Sequence, residues 1–234
     1  MQSGQLNTTL LFTAVMVWLF TGCTKSITSI DRYSVTKLKP GAAVLFFLDS
    51  QSQERSSKME ARILRTMFRA LDEANANVRI LSSKEICPDV PEPFYSFDDV
   101  IGLLRDARFR ERLQAAQVQY IVLVYVGGSE GNWGTRTYSD VSGMAVYNRK
   151  ESGHHTRATV ADAENIEVAG ALIVDCSSTA GYGIGFGVSN GLCCVFPFAW
   201  YGGPTEDLAV RTLAANVAKF LTDKDATPDA KRPE

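Results

Sequence analysis

Three apolar runs separated by helical patterns constrain this chain more than any other feature. Ala42-Ala43-Val44-Leu45-Phe46-Phe47-Leu48 carries no polar residue, follows Pro40-Gly41 and stops at Asp49-Ser50. A strand without polar alternation is one covered on both faces. Val78-Arg79-Ile80-Leu81 is a second, shorter strand, and Tyr120 to Val126 a third, closed by Gly127-Gly128. Between the first two, from about Ser52 to Ala74, Met59, Ile63, Met67 and Leu71 recur at helical spacing. Leu64 and Phe68 lie beside them and charges fill the other side. After the prolines at 88, 91 and 93, Ser96 reads as an N-cap with Asp98 and Asp99 in the first turn. Val100, Ile101, Leu104, Ala107, Leu113 and Ala116 continue that helix, and Gly102 and Phe109 leave room for a break. Helical crossovers between strands predict parallel pairing with helices covering the sheet.

Beyond Gly128 the pattern changes. Residues 129–139 read as a Gly-containing loop, followed by alternating segments at 141–147, 155–161 and 166–174 with short connections. Short connections predict antiparallel strands. Residues 205–222 read as a closing helix, with Thr205 as N-cap and Glu206 and Asp207 in its first turn. The expected fold class is α/β: a βαβαβ half with parallel strands, then antiparallel strands and a C-terminal helix in one mixed sheet. A single domain is expected over 40–222. Residues 223–234 are charged, contain Pro228 and Pro233, and read as a flexible tail.

The first residues say where such a chain resides. Leu10 to Phe20 is apolar and uncharged. It is shorter than the roughly 20 residues of a membrane-spanning helix and has the length of a signal-peptide h-region. It runs directly into Thr21-Gly22-Cys23. Small residues before a Cys at the end of an h-region resemble the bacterial lipobox. Two features depart from that pattern: Phe20 stands where Leu is usual, and residues 1–22 hold no Lys or Arg, although a signal n-region is normally positive. The resemblance implies that 1–22 is a lipoprotein signal peptide, that Cys23 is lipidated, and that 23–39 is the lipidated end and a polar tether. Thr24 in place of Asp favours delivery to the outer membrane, facing the periplasm. Export to an oxidising compartment makes a disulfide among Cys87, Cys176, Cys193 and Cys194 an expectation. A bond between the adjacent Cys193 and Cys194 is strained, so pairing one of them with Cys176 is favoured.

The order of elements over Ala42–Leu48, Met59–Leu71, Val78–Leu81, Tyr120–Val126, Val168–Asp175 and Leu208–Leu221 is similar to a group of envelope domains. The group comprises the N-terminal domain of TolB, the penicillin-binding-protein activator LpoB and the periplasmic part of CsgG. The likeness is one of element order over roughly residues 40–222, and it implies a fold and no functional residue except the lipid-bearing Cys23.

Other motifs carry little chemistry. Gly181-Tyr182-Gly183-Ile184-Gly185-Phe186-Gly187 lacks the strand, turn and helix N-terminus that a phosphate loop needs. It reads as a strand with one bulky and one glycine face. With Leu192 to Tyr201 it offers Phe186, Phe196, Phe198, Trp200 and Tyr201 either as packing under the closing helix or as a partner or membrane surface. The expectation is core packing, with Ile184, Phe186 and Val188 on the packed face. A pore hairpin is disfavoured because the alternation reads as short, where about 9–11 residues are needed. His154 and His155 are the only histidines, and adjacent strand residues point to opposite faces, so neither a metal site nor a hydrolytic triad is expected. Arg105, Arg108, Arg110 and Arg112 read as a solvated helix face. With 24 basic and 26 acidic residues, nothing draws the chain to nucleic acid. No cofactor is expected. The function expected is that of a non-enzymatic envelope lipoprotein acting as a periplasmic protein-binding or accessory domain. The alternative is a subunit of an oligomeric secretion or surface assembly. A weaker alternative is a small-ligand-binding protein or enzyme with a pocket at the strand ends near Asp49 and Gly127-Gly128. Burial or exposure of residues 181–201 separates the first two.

Overall fold

The computed structural model describes residues 24–34, 38–49, 57–74, 77–86, 88, 97–140, 143–189, 192–203 and 205–223. The elements, in chain order, are β1 (Thr24–Arg32), β2 (Ala43–Leu48), α1 (Ser57–Glu73), β3 (Arg79–Ser82), α2 (Ser83–Ile86), α3 (Phe97–Arg105), α4 (Ala107–Ala115) and β4 (Val118–Glu130). Then follow β5 (Gly134–Asp140), β6 (Gly143–Asp162), β7 (Glu167–Ser189), β8 (Leu192–Tyr201) and α5 (Thr205–Thr222). The strands make one sheet in the order β1-β7-β6-β4-β2-β3, with β5 added to β6 and β8 added to β7. β2 is parallel to β3 and β4, whereas β5–β6 and β7–β8 are antiparallel. This is the mixed α/β fold expected from the sequence.

The chain divides into two compact units. Among the described residues, an α/β unit falls within Ile27–Gly128, His154–Asp175 and Asp207–Asp223; a hairpin unit falls within Thr24–Ser26, Ser129–Gly153 and Cys176–Glu206.

In the α/β unit, alternate residues of β2 explain the two-sided burial. Ala43, Leu45 and Phe47 pack with Ile121 and Leu123 of β4, Val100 and Leu104 of α3, and Phe109 and Leu113 of α4. Val44 and Phe46 point to the other face and are buried as well. On α1 the buried residues are Met59, Ile63, Met67 and Leu71, the predicted stripe, while Phe68 beside it is 58% exposed. The break in the second helical stretch falls at Asp106 rather than at Gly102 or Phe109. Its carboxylate caps α4 by accepting from the backbone N–H of Arg108 at 2.8 Å and Phe109 at 3.0 Å. Both bonds favour the ionised form, so the Asp106 carboxyl is held below its ordinary value.

Two segments are more ordered than their sequence suggests. Residues 24–32, expected as a tether, form the edge strand β1 on β7. The buried Arg32 fixes its end: the guanidinium donates to the carbonyl of Phe220 at 2.6 Å and lies 4.1 Å from that ring's centre. A cation at the last turn of α5 also meets the negative end of the helix. In the second segment, the short alternating stretches at 141–147 and 155–161 fuse into one strand of 20 residues, β6, and β7 runs for 23. The loop expected at 129–139 instead holds the end of β4 and most of β5.

Candidate functional site

The hairpin unit is built from two antiparallel arms. In one, β5 pairs with β6 from Gly134↔Arg149 to Asp140↔Gly143. In the other, β7 pairs with β8 from Ala180↔Tyr201 to Ser189↔Leu192. β6 and β7 join the arms, with the hydroxyls of Ser152 and Ser178 3.0 Å apart across them. The order is therefore β5-β6-β7-β8. Side chains alternate between two faces, and directly opposed residues share a face.

The first face carries Gly181 and Gly183, with Tyr147, Phe198 and Trp200 beside them. Phe198 and Trp200 stack with ring centres 5.9 Å apart and 12° between planes. Tyr147 stands 5.6 Å from Trp200 and 6.3 Å from Phe198. The rings occupy the space the glycines leave. A Cβ on Gly181 would overlap the Trp200 ring, and one on Gly183 would sit 2.5 Å from the Tyr147 Cβ. Trp200 Nε1 donates to Thr179 Oγ1 at 3.2 Å, and Arg149 pairs with Glu151 at 2.7 Å. A shallow groove of about 340 Å³ runs between Tyr138, Arg149 and these rings.

The second face is open. It carries Met144 (44% exposed), Val146 (39%), Tyr182 (54%), Ile184 (48%), Phe186 (42%) and Val195 (64%). Trp133 packs on Tyr182 with centres 5.5 Å apart, and Tyr201 ends the face at 64% exposure. From Asn148 and Tyr182 outward to Met144 and Phe186, no charged residue stands on this face in any of the four strands.

This reverses the packing expected for residues 181–201. The bulky side, with Ile184 and Phe186, is the open one. The glycine side is filled, because rings from the neighbouring strands lie down into the slots. Phe186 and Tyr201 are exposed, and Phe198 and Trp200 are half-buried. The side chain of Phe196 lies outside the described residues.

Among the cysteines, Cys23 and Cys87 lie outside the described residues, as do the side chains of Cys193 and Cys194. Cys176 is buried on β7. In the register of β7 with β8, Cys194 stands opposite Gly187, eleven residues along β7 from Cys176. At about 3.3 Å per residue that is roughly 36 Å, far beyond the 7 Å limit for a disulfide. The favoured pairing of Cys176 with Cys193 or Cys194 within one chain is thereby excluded.

In the α/β unit, β2 is flanked by β3 and β4, so chain direction switches at the C-terminal ends of β2 and β4, where ligands of open α/β sheets sit. Asp49 is there, 3% exposed, 3.6 Å from Arg157, whose guanidinium lies 5.8 Å from the Tyr125 ring centre. His155 Nδ1 and Asp175 Oδ1 are 2.5 Å apart. His154 turns the other way, toward Gly128, where a Cβ would meet its Nε2 at 2.5 Å. The two histidines thus point apart, as their adjacency on a strand requires. The Asp49 carboxylate faces a guanidinium and His155 faces a carboxylate. Among the described residues no nucleophile is bonded to the imidazole of His155. A cavity of about 560 Å³ opens at the opposite, N-terminal ends of β2 and β4, between Lys39, Arg110, Gln117 and Glu164.

No known protein family matches the chain, and no curated protein does. Among solved structures it is similar to the PelC dodecamer from Paraburkholderia phytofirmans, at 12% identity and a TM-score of 0.41, covering 85% of this chain and 98% of that one. It is also similar to a neuraminyllactose-binding hemagglutinin homolog from Helicobacter pylori, at 10% identity and 0.36, covering 82% and 88%. A third is the hypothetical protein CT253 from Chlamydia trachomatis, at 12% identity and 0.34, covering 79% and 99%.

Proposed function

We propose that this protein is a lipid-anchored, non-enzymatic lipoprotein of a bacterial cell envelope, held in the outer membrane through Cys23. In this reading it works as a subunit of an oligomeric secretion or surface assembly. One observation carries the choice over a self-contained accessory domain: the face of Met144, Val146, Tyr182, Ile184, Phe186 and Val195 is open and uncharged. Four strands about 4.8 Å apart, over the five residues from Asn148 to Met144 at about 3.3 Å each, give roughly 320 Å² in projection. That is within the range of about 300–600 Å² of the largest apolar patch on a monomer, which often marks an interaction surface. The anchor rests on the apolar run that ends at Gly22-Cys23.

The test uses the full chain in a diderm host fed labelled palmitate, followed by extraction in mild detergent and sedimentation. The wild type should carry label and sediment as an oligomer, and Cys23→Ser should lose the label. Membrane retention of an unlabelled wild type refutes the anchor. A labelled protein that stays monomeric at micromolar concentration refutes the assembly.

A further inference from the structure

We propose that the cavity at the N-terminal ends of β2 and β4 is a binding site for a short zwitterionic peptide, one with a free amino and a free carboxyl end. The site lies within the α/β unit and depends neither on the lipid anchor nor on the assembly.

The cavity, of about 560 Å³, has the size of a small-ligand site. One wall is α4 and its C-terminal cap. Arg110, Gln114 and Gln117 follow one another at intervals of four and three residues, which sets them in a row along the helix, and all three line the cavity. Among the described residues, neither the Arg110 guanidinium nor the side-chain amides of Gln114 and Gln117 have a hydrogen-bond partner. A carboxamide carries the same donor and acceptor as a peptide group, so each of these glutamines can bond a peptide unit. The guanidinium fork matches a carboxylate.

The other wall is fixed by its own hydrogen bonds. Gln119, 2% exposed, accepts from the Lys39 N–H at 2.7 Å, and Lys39 Nζ donates to Glu164 Oε1 at 2.5 Å. That pair cancels the lysine charge and leaves Glu164 Oε2 without a partner among the described residues. Glu164 stands near the carbonyl end of α4, because Lys39 is bonded both to it and to Gln119, two residues past Gln117. A helix C-terminus is a negative pole, so this end of the cavity suits an ammonium and the Arg110 end a carboxylate. Seven residues at about 1.5 Å each put about 10 Å between Arg110 and Gln117. A single amino acid spans too little to reach both poles, whereas an extended peptide of about two or three residues, at about 3.3 Å each, matches them. Ala42, Leu113 and Val118 leave apolar surface between the poles for small side chains.

Gln117 supplies an independent observation. Its φ of 56° is the left-handed conformation that closes α4, a position where glycine is usual. Its N–H bonds the carbonyl of Gln114 at 3.0 Å, and that closure needs no side chain. Glutamine there carries strain that glycine would not, and the side chain held at that cost lines the cavity.

The experiment is calorimetric titration of the full-length chain, in mild detergent, with tri-L-alanine, its N-acetyl form and its C-terminal amide. Tri-L-alanine should saturate, and each blocked form should bind about tenfold more weakly, the scale of a lost charge-assisted hydrogen bond. Arg110→Ala should weaken the free peptide about tenfold and make amidation immaterial, while Glu164→Gln should make acetylation immaterial. Gln117→Gly should bind about fivefold more weakly and melt no lower than the wild type. Melting curves certify the fold of each variant, and Arg110→Gln stands in should Arg110→Ala not fold. No saturation by about 10 mM free peptide, equal binding of the blocked forms, or wild-type affinity in the Arg110 and Gln117 variants overturns the site. So does a Gln117→Gly chain that melts well below the wild type, since its side chain then serves the fold.

Discussion

Tyr147 and Val195 make opposite demands on the hairpin unit, and a pair of truncations separates a packed face from an open one. Tyr147→Ala removes a ring that lies over Gly183 and against Phe198 and Trp200. A buried aromatic side chain covers about 150–250 Å². Taking about 100–150 Å² for this half-buried ring, at about 25 cal/mol per Å², gives a loss of about 2.5–4 kcal/mol. No neighbour can collapse into the gap without a side chain at Gly183, so the cavity persists and the loss stays in that range. Val195→Ser acts on a side chain already 64% exposed. By the same arithmetic, about 40 Å² of covered surface is worth about 1 kcal/mol. Denaturant titration of full-length protein in one detergent, followed by Trp fluorescence, measures both at constant oligomeric state. Tyr147→Ala should be the more damaging by about 2 kcal/mol. Equal losses, or a larger loss for Val195→Ser, would show that the open face is the packed one and that the argument from glycine slots is wrong.

Two further outcomes follow from other parts of the molecule. The Asp106 carboxyl is held below its ordinary value by the N–H groups of Phe109 and Arg108, so its stabilising effect is complete above that ordinary value. The effect is lost as pH falls through the depressed value, and Asp106→Ala should lower the melting temperature at neutral pH while flattening the acid limb of the stability curve. An unchanged acid limb would show that the cap contributes nothing. Peptide mapping of non-reduced, alkylated protein should find no intrachain bond from Cys176 to Cys193 or Cys194; recovering that peptide pair from a monomer would contradict the β7–β8 register.

What was legible in the sequence was what local patterning encodes. β2 could be read because a strand covered on both faces tolerates no polar residue, and Ala43 to Phe47 are all buried. The α1 stripe could be read because Met59, Ile63, Met67 and Leu71 repeat every four residues. Other features are set by partners distant in the chain. β1 is polar and looks like a tether; it is a strand because β7 offers an edge and Phe220 accepts from Arg32 across 188 residues. The middle of β6, Asn148-Arg149-Lys150-Glu151, resembles a loop by composition, yet it continues the strand by pairing on both sides. Gly102 and Phe109 both leave room for a helix break, but Asp106, an acid two and three residues before the amides it caps, is the better signal. On the candidate face, alternation was visible but its sense was not. Which side of a Gly-x-Gly strand is filled depends on Tyr147 and Trp200, and neither belongs to that strand.

The placement of β1 also sets an order of events. The βαβαβ half closes through contacts among residues 43–124, whereas Tyr33 reaches its partner Ala169 only across 136 residues of chain. Long loops close slowly, and contacts of high sequence separation form after local ones. β1 is therefore a late arrival. Until β7 exists and is paired, residues 24–32 have no sheet edge to join. Once β1 docks, the proposed lipid site at Cys23 is followed in the chain directly by a strand and not by a tether. In that proposed reading a hydrogen-bonded strand, and not a flexible linker, would set the protein's height above the membrane.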